Sequence, residues 1–459
     1  MDTSEDNHAT DLSAGLLLGP DSRKPAKLVW IAAAQHLLAM FSGVTMVPLI
    51  VALSVGVKPE ATVRFISMAI LVSGIATLLQ VNRLGPLGSG YLCVMGSSGL
   101  FIPPAIMAGK AGGLPLIFGM TLLLSPVEAV MSRAVKPLRK LCPPHVTGTI
   151  IMLVGCSLIP VSVKQLGGGP RATPFASPQS LAIGMLTLIV ILAASVNRRP
   201  FIRASSIIIG TAAGWITAVA SGCAGLPKTS AQPWILLPRP GWAGWDFDVR
   251  FVLPFAVAYF VTGLETYGDI HAIGEISEGR VEDVDPKRVS GGLLTDALGS
   301  ALAGLFGTSP NTSYSGNIAI VQLTGVAARR VGILVGAGLI LLSATPKLGA
   351  LLSAMPAPVL GGAMIGAVAT MIGIGLRIAA RGLNTSTDML VVGMSLCVGL
   401  ATQSVPELFD QMPAFLQSLL KTSTCTGALC AIALNLFLTS RSHAPGPPAP
   451  ESHEERPAQ

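Results

Sequence analysis

Charged side chains are scarce in this chain of 459 residues. Asp, Glu, Lys and Arg make up 12% of it, whereas they account for roughly a quarter of an average soluble domain. Apolar residues make up 51%, and the mean hydropathy is +0.66. The 51 Gly and 34 Pro are scattered among apolar runs, and both are more frequent in membrane helices than in soluble ones. This composition excludes an ordinary soluble domain and predicts an all-α polytopic membrane protein.

Residue patterns that carry enzyme chemistry are also lacking. The seven Cys show no metal-ligand spacing, and most fall in apolar segments, where Cys behaves as a small core residue. The sequence shows no metal cluster and no nucleophile–base pair, so we expect neither an enzyme nor a bound cofactor. The formal net charge is +7, but the Lys and Arg residues lie in short loops and form no basic face. This distribution argues against nucleic-acid binding.

Apolar segments long enough to span a bilayer, about 20 residues, recur along the chain. We count fourteen, between polar tails at 1–27 and 441–459. A loop at 223–249, rich in Gly, Pro and Trp, divides them into two sets of seven, at 28–222 and 250–440. The predicted spans lie near 28–53, 65–82, 89–106, 112–131, 145–163, 178–197, 203–222, 251–273, 289–306, 317–326, 330–351, 357–377, 387–404 and 422–440.

The third and tenth spans are interrupted. Small or polar residues, GYLCVMGSSG at 90–99 and NTSYSGN at 311–317, precede apolar residues in each. Polar, irregular backbone at membrane depth is tolerated only where it is buried in protein or lines a cavity. Two interrupted segments in corresponding positions of two halves are the sequence sign of a transporter with inverted repeats. We therefore expect short strand-plus-half-helix breaks in spans 3 and 10, with two half-helix N-termini facing each other.

The distribution of Lys and Arg predicts the orientation. With a cytoplasmic N-terminus, the inner segments hold 20 of the 30 Lys and Arg residues and the outer segments hold 10. This excess satisfies the positive-inside rule. Because the predicted number of spans is even, both tails are then cytoplasmic and the 223–249 loop is external. We expect a multi-pass protein of the cell membrane, surrounded by lipid.

Ionisable residues inside membrane spans are costly and are candidates for function. Glu265 and Asp269 lie four residues apart in span 8 and share one helix face, while Asp296 lies in span 9 and His36 in span 1. Two nearby carboxylates in a low-dielectric site do not both ionise cheaply, so at least one is expected to carry a proton. The alternative is structural: polar contacts between spans, with His36 bonded to a backbone carbonyl. Glu128, near the end of span 4, is interpreted as an interface residue.

Several segments resemble those of one transporter family. They are QHLLAMF at 35–41, GSS at 96–98, LETYGD at 264–269, LLTDALG at 293–299 and the SPNTSYSGN…LTG block at 309–325. Each motif alone is moderately specific, and their combination is specific. Over residues 25–440 the chain resembles members of the nucleobase–ascorbate transporter family.

This resemblance implies a fold and an activity. The fold is fourteen spans in two inverted seven-span repeats. Spans 1–4 and 8–11 form a core domain, and spans 5–7 and 12–14 form a gate domain. The activity is import of a small substrate by a homodimer, in bacteria usually together with protons.

The resemblance also implies roles for individual residues. Glu265 is the carboxylate that accepts hydrogen bonds from the N–H edge of a nucleobase, and Asn317 is the signature Asn beside the site. His36, Asp269 and Asp296 match polar positions important for transport in purine-type members. Asp269 favours xanthine or uric acid, because the uracil-type pattern has His there. The implied substrate-binding set is Glu265, Ser98, Gly99, Gly316, Asn317 and His36, and the implied proton-coupling set is Glu265, Asp269, Asp296 and His36.

Two glycines depart from the family pattern. Gly316 stands where the purine branch has Gln, the uracil branch Glu and the ascorbate branch Pro, so one contact to the base edge is missing. Gly99 stands where many members place a Phe that stacks on the base. We expect the two glycines to enlarge the pocket and to weaken base recognition. The substrate is then bulkier or less planar than xanthine, or xanthine itself is bound less tightly.

The favoured function is proton-coupled import of a nucleobase, preferably a purine such as xanthine or uric acid, by alternating access. Sodium is an alternative coupling ion. Two other substrate classes stay open: a uracil-type base, and an anion such as sulfate, bicarbonate or a carboxylate held by the half-helix dipoles of the same fold. Glu265 and Asp269 argue against an anion, because they repel it unless they are protonated.

Overall fold

The computed structural model describes residues 18–21, 26–141, 143–169, 172–199, 202–203, 205–225, 233–278, 284–412, 420 and 423–442. The helices are α1 (Ala26–Val55), α2 (Pro59–Val81), α3 (Ile102–Leu124), α4 (Pro126–Leu141), α5 (Pro144–Leu166), α6 (Pro178–Ser195), α7 (Ser206–Ala220), α8 (Val252–Glu278), α9 (Pro286–Phe306), α10 (Ser315–Thr324), α11 (Arg329–Ser343), α12 (Pro346–Ser353), α13 (Ala357–Ala380), α14 (Ser386–Ser404) and α15 (Ser423–Ser442). Two short strands are β1 (Met95–Ser97) and β2 (Asn311–Ser313), and 3-10 turns occupy Gly99–Phe101, Val249–Phe251 and Pro406–Phe409.

Long apolar helices dominate the described residues. Eight helical stretches there are long and apolar enough to cross a membrane, and the bent pair α11–α12 makes nine if it counts as one span. The prediction of a helical polytopic membrane protein is therefore confirmed. Proline sets many of the helix starts: α2, α5, α6, α9 and α12 each begin with Pro. At the first position of a helix its missing N–H leaves no hydrogen bond unmade.

Breaks within the helices differ in part from the sequence prediction. The predicted span 330–351 is not one helix, because α11 and α12 meet at 81°. Pro346 begins α12, and it has no N–H to continue the hydrogen-bond ladder of α11. Gly113, with φ 70° and ψ −161°, divides α3 into two halves. Pro103 and Pro104 lie in the first turn of α3, where proline is tolerated.

The helices pack in two groups. In the first group α1–α4 contact α8, α9, α11 and α12, and in the second group α5–α7 contact α13–α15. The second group is tightest where α5 crosses α13. A Cβ atom on Gly148 would lie 2.4 Å from the Gly375 carbonyl oxygen, so glycine is needed for this backbone contact. Close approach through small residues is typical of helix packing in membranes.

Segments outside the helices cover the ends of α9 and α10. Trp242, in the loop before α8, donates its Nε1–H to the Phe306 carbonyl oxygen at 3.0 Å, where α9 stops. Leu18 forms a parallel bridge with Val326, just after α10, and its side chain is 1% exposed. The Trp242 hydrogen bond and the Leu18 bridge satisfy or shield backbone groups that a helix end leaves unpaired.

Candidate substrate site

β1 and β2 pair antiparallel and are buried within the first helix group. The paired residues are Met95–Ser313, Gly96–Thr312 and Ser97–Asn311. α3 follows β1 after a single 3-10 turn, and α10 begins two residues after β2. The N-terminus of each helix therefore meets the strand pair, and a helix N-terminus presents free N–H groups and the positive end of a dipole. The crossed breaks form a polar site inside an apolar protein.

Tyr314 holds the two breaks together. It follows β2 directly, and its hydroxyl donates to the Ser97 carbonyl oxygen at 2.7 Å. Its backbone N–H donates to the Val94 carbonyl oxygen at 3.1 Å. A Cβ atom on Gly96 would lie 2.3 Å from Cε2 of the Tyr314 ring. Glycine is therefore required where the ring lies on β1.

Two buried carboxylates bind hydroxyl groups of β2. Ser313 Oγ donates to Asp269 Oδ2 at 2.7 Å, and Thr312 Oγ1 donates to Asp296 Oδ2 at 3.2 Å. Thr266 of α8 donates to the same Asp296 oxygen at 2.5 Å. Asp269 is 6% exposed and Asp296 is fully buried. The structure thus brings both aspartates to the break in the tenth predicted span.

Glu265 differs from the two aspartates because part of its surface is accessible. It lies within electrostatic range of the Tyr314 hydroxyl. Gly316, in the first turn of α10, is exposed, and Gly99, at the turn before α3, is half-buried. An accessible carboxylate and two accessible helix starts together offer acceptors and donors to a small polar molecule.

Asn317, His36 and Ser98 are buried around the same breaks. Asn317 Nδ2 donates to the Leu92 carbonyl oxygen at 2.7 Å, which ties α10 to the segment before β1. His36, on α1, is 1% exposed and lies beside the Asn317 side chain. In the described part of the chain, neither ring nitrogen of His36 completes a hydrogen bond of normal geometry, and the same holds for Asn317 Oδ1 and Ser98 Oγ. Buried polar atoms are usually paired, so these four atoms are available to a bound partner.

Methionine side chains lie beside the two unusual glycines. A Cβ atom on Gly99 would be 3.4 Å from Sδ and 3.5 Å from Cε of Met371, which belongs to α13 in the second helix group. A Cβ atom on Gly316 would be 3.6 Å from Cε of Met40, on α1. Flexible thioethers therefore border the space next to both glycines. Neither methionine was indicated by the sequence, because only tertiary packing brings them to the site.

Sequence reasoning also missed Thr266 and the hydrogen-bond partner of Glu128. Thr266 follows Glu265 and precedes Asp269 by three residues, so its helical position was a usable signal. Glu128, interpreted as an interface residue, is fully buried between α4 and α8 and accepts a hydrogen bond from Thr262 Oγ1 at 2.6 Å. The sequence around Glu128 had no signal for this contact, because Thr262 is distant in the chain.

Comparisons with known proteins agree on one family. A sequence profile described as the permease family matches residues 28–408. The xanthine permease XanP of Escherichia coli strain K12 is 35% identical over 433 residues, which cover 91% of this chain and 93% of XanP. The uric acid permease PucJ of Bacillus subtilis strain 168 is 31% identical over 430 residues, which cover 91% of this chain and 94% of PucJ. The chain belongs to the nucleobase–ascorbate transporter family.

As a member of the nucleobase–ascorbate transporter family, the protein is a multi-pass membrane transporter and not an enzyme. Its fold is shared with the solved structure of SLC26A9, with a TM-score of 0.62 at 10% sequence identity. The match covers 91% of this chain and 66% of that one. At this identity the likeness concerns the fold alone.

Proposed function

We propose that this transporter imports a purine nucleobase, such as xanthine or uric acid, across the cell membrane together with a proton. XanP and PucJ are named as permeases of xanthine and of uric acid. The observation that carries the proposal in this chain is the position of Glu265, a partly accessible carboxylate on α8. This helix contacts both α10 and the turn before α3.

Base recognition follows from the groups around the crossed breaks. Glu265 accepts hydrogen bonds from ring N–H groups of the base, and the free N–H groups at the helix starts bind its carbonyl oxygens. Asn317, Ser98 and His36 contribute further polar atoms. Thioethers of methionine make favourable contacts with aromatic rings, so Met371 contacts the base beside Gly99, where a Phe is absent, and Met40 contacts it beside Gly316.

Proton coupling involves the carboxylates of the same site. The base binds when the site faces outward, and the first helix group, acting as a core, then moves against the second group, acting as a gate. A buried charge opposes this movement because its desolvation is costly. A proton taken up among Glu265, Asp269, Asp296 and His36, together with bound substrate, neutralises the site and permits the movement. Sodium is the alternative coupling ion.

The proposed topology has fourteen spans in two inverted repeats of seven. Spans 3 and 10 are the strand-plus-half-helix segments β1 with the first half of α3, and β2 with α10. The second half of α3 with α4 is span 4, and the bent pair α11–α12 is span 11. Both tails are cytoplasmic, the 223–249 loop is external, and the transporter is a homodimer, as the family resemblance implies.

The experiment that tests this function is uptake of radiolabelled xanthine and urate by proteoliposomes under an imposed pH gradient. Glu265→Gln replaces a charged acceptor by a neutral one. Hydrogen bonds to charged groups contribute about 1.5–3 kcal/mol, so we expect affinity to fall by about tenfold or more and accumulation to be lost. Glu275→Gln is the matched control, because Glu275 lies about 15 Å further along the same helix. Full accumulation by Glu265→Gln would show that its role is assigned wrongly.

An anion is the second candidate substrate. SLC26A9, which shares the fold, is described as an anion transporter, and paired helix N-termini suit an anion. Glu265, Asp269 and Asp296 disfavour it electrostatically. A panel of xanthine, urate, uracil and sulfate separates the possibilities, since an anion carrier takes up sulfate and leaves uracil outside.

A further inference from the structure

Glu128 is a buried carboxyl group that the proposed mechanism does not yet use. It is fully buried on α4, and only its Oε1 atom has a hydrogen-bond partner among the described residues. No Lys or Arg in the described ranges forms an ion pair with it. Burial of a charge without a counter-ion is costly, and an apolar residue of similar volume often stabilises such a position better. A purely structural role therefore explains the glutamate poorly.

Its partner, Thr262, suits both protonation states of Glu128. Thr262 Oγ1 lies 2.6 Å from Glu128 Oε1, and 3.1 Å from each of the carbonyl oxygens of Ala258 and Tyr259. A threonine hydroxyl has one proton and two lone pairs. It donates to Glu128 when the carboxylate is charged. When Glu128 is neutral, Thr262 accepts from it and donates to a backbone carbonyl, so the proton exchanges without movement of heavy atoms.

The position of Glu128 relates it to the substrate site. Thr262 and Thr266 are four residues apart and lie on one face of α8, about 5.4 Å apart along the axis. Thr266 binds Asp296, and it also contacts Ser313 Oγ at 3.1 Å. Glu128 therefore lies one helical turn beyond this cluster, towards the end of α8 that follows the 233–249 loop.

Among the described residues, few titratable groups face Glu128. Asp296, from α9, interacts with it electrostatically, and so does the Tyr259 hydroxyl of α8, which donates to the Thr121 carbonyl oxygen at 2.7 Å. α15 also packs on α4, and it carries no charged side chain over residues 423–438. Asp296 is thus the carboxylate that interacts electrostatically with Glu128. Two like charges in a low-dielectric environment disfavour each other.

We propose that Glu128 binds and releases a proton during the transport cycle, in alternation with Asp296. When one of the two carboxylates is ionised, the other holds the proton. The inference rests on the proposed proton-coupled transport. It adds a fifth titratable group to the coupling site and places it on the side of the site next to the external loop.

The test uses proteoliposomes whose internal pH is one unit above the external pH. Such a gradient supports about tenfold accumulation per coupled proton, measured with radiolabelled xanthine and urate, while a pH-sensitive dye reports proton entry. Glu128→Gln keeps an oxygen that can accept from Thr262. We expect it to bind substrate with an affinity close to that of the unaltered protein, and to lose both the accumulation and the substrate-dependent proton entry.

Three outcomes are distinguishable. If Glu128→Gln accumulates substrate to the same level as the unaltered protein, Glu128 carries no transported proton and the inference is wrong. If the unaltered protein takes up substrate without any response to the gradient, proton coupling itself fails. If it takes up neither base, the proposed substrate fails. Thermal unfolding in detergent, measured for each variant, identifies loss of fold.

A second variant tests the inference even where Glu128→Gln does not fold. Thr262→Val keeps the carboxyl group and removes the donor that stabilises its charged form. We expect the pH profile of uptake to move to higher pH, because the proton is then released less readily. Thr149→Val is the matched control, since Thr149 is a buried threonine of α5 that donates to its own helix, to the His145 carbonyl oxygen. Identical pH profiles for the two variants would overturn the inference.

Discussion

At the scale of single residues, two glycines and two methionines distinguish the candidate substrate site. Gly99 and Gly316 remove side chains from the helix starts, and Met371 and Met40 border the space that results. Methionine is unbranched and polarisable, so it fills irregular gaps and adapts to different ligands. We therefore expect a pocket that tolerates variation in the substrate better than one lined by a fixed aromatic ring.

Restoration of a polar side chain at position 316 tests this view. A side chain fits there, because the nearest described atom outside the helix backbone to a Cβ on Gly316 is Met40 Cε at 3.6 Å. A carboxamide adds one or two hydrogen bonds to the base edge, each contributing about 1 kcal/mol. We expect Gly316→Gln to lower the KM for xanthine uptake by about fivefold or more. Gly373→Gln is the control, since among the described residues no atom beyond the neighbouring backbone of its own helix lies within 4 Å of a Cβ on Gly373 of α13. An unchanged KM for every base would place residue 316 outside the pocket.

The residues that the sequence alone identified were those with side chains that are rare in membrane spans. Glu265, Asp269 and Asp296 were conspicuous because carboxylates are costly in apolar spans. Met371 and Met40 were not, because methionine is an ordinary residue there and only the packed structure shows what it touches. Glu128 was noticed but its contact with Thr262 was not, since that contact depends on which helix lies against α4.

At the scale of elements, the strand pair depends on one tight contact. The ring of Tyr314 lies on Gly96, and any Cβ there would be 2.3 Å from the ring. Gly96→Ala therefore forces the ring or the strand to shift, at a cost of about 1–3 kcal/mol. We expect a lower unfolding temperature in detergent and weaker uptake.

Gly393→Ala is the matched control for this strand variant. In the part of the chain that the structure describes, no atom beyond the neighbouring backbone of α14 lies within 4 Å of a Cβ on Gly393. Alanine favours helix by up to about 1 kcal/mol over glycine. It is expected to unfold at the same temperature as the unaltered protein or slightly higher. If Gly96→Ala behaved like this control, the contact between Tyr314 and β1 would not limit stability.

The interruptions in predicted spans 3 and 10 could be found from the sequence, because polar residues and glycine at membrane depth indicate irregular backbone that is buried in protein or lines a cavity. The register of β1 with β2 was not, since three-residue strands carry no side-chain periodicity that fixes pairing. The bend between α11 and α12 was missed although Pro346 is visible in the sequence. A proline inside an apolar run ends one helix or only kinks it, and packing decides between them.

At the scale of the whole molecule, the candidate site lies at the boundary between the first and the second helix group. Gly99 belongs to the first helix group and Met371, its neighbour, to the second. Any movement of one group against the other therefore changes the pocket wall directly. Contacts between the groups are few compared with contacts within each group, as expected of two bodies that move against each other.

The number of crossings between Cys223 and Asn384 decides whether the broken segment β2–α10 spans the membrane. Between these two positions lie α8, α9, the bent pair α11–α12 and α13, which are four apolar crossings. If β2–α10 is a fifth crossing, the two positions lie on opposite sides. If it is not, they lie on the same side. Both residues are exposed, so each is accessible to a charged, membrane-impermeant maleimide.

Two variants with a single cysteine give the answer, one keeping only Cys223 and one carrying only Asn384→Cys. In intact cells we expect the maleimide to label Cys223 and not Asn384→Cys, because the positive-inside rule places the 223–249 loop outside. In inside-out vesicles the pattern should reverse. Labelling of both positions from one side would mean that β2–α10 is not a crossing, and the fourteen-span topology with inverted repeats would be wrong. Labelling of Asn384→Cys alone in intact cells would keep the fourteen spans and reverse the orientation.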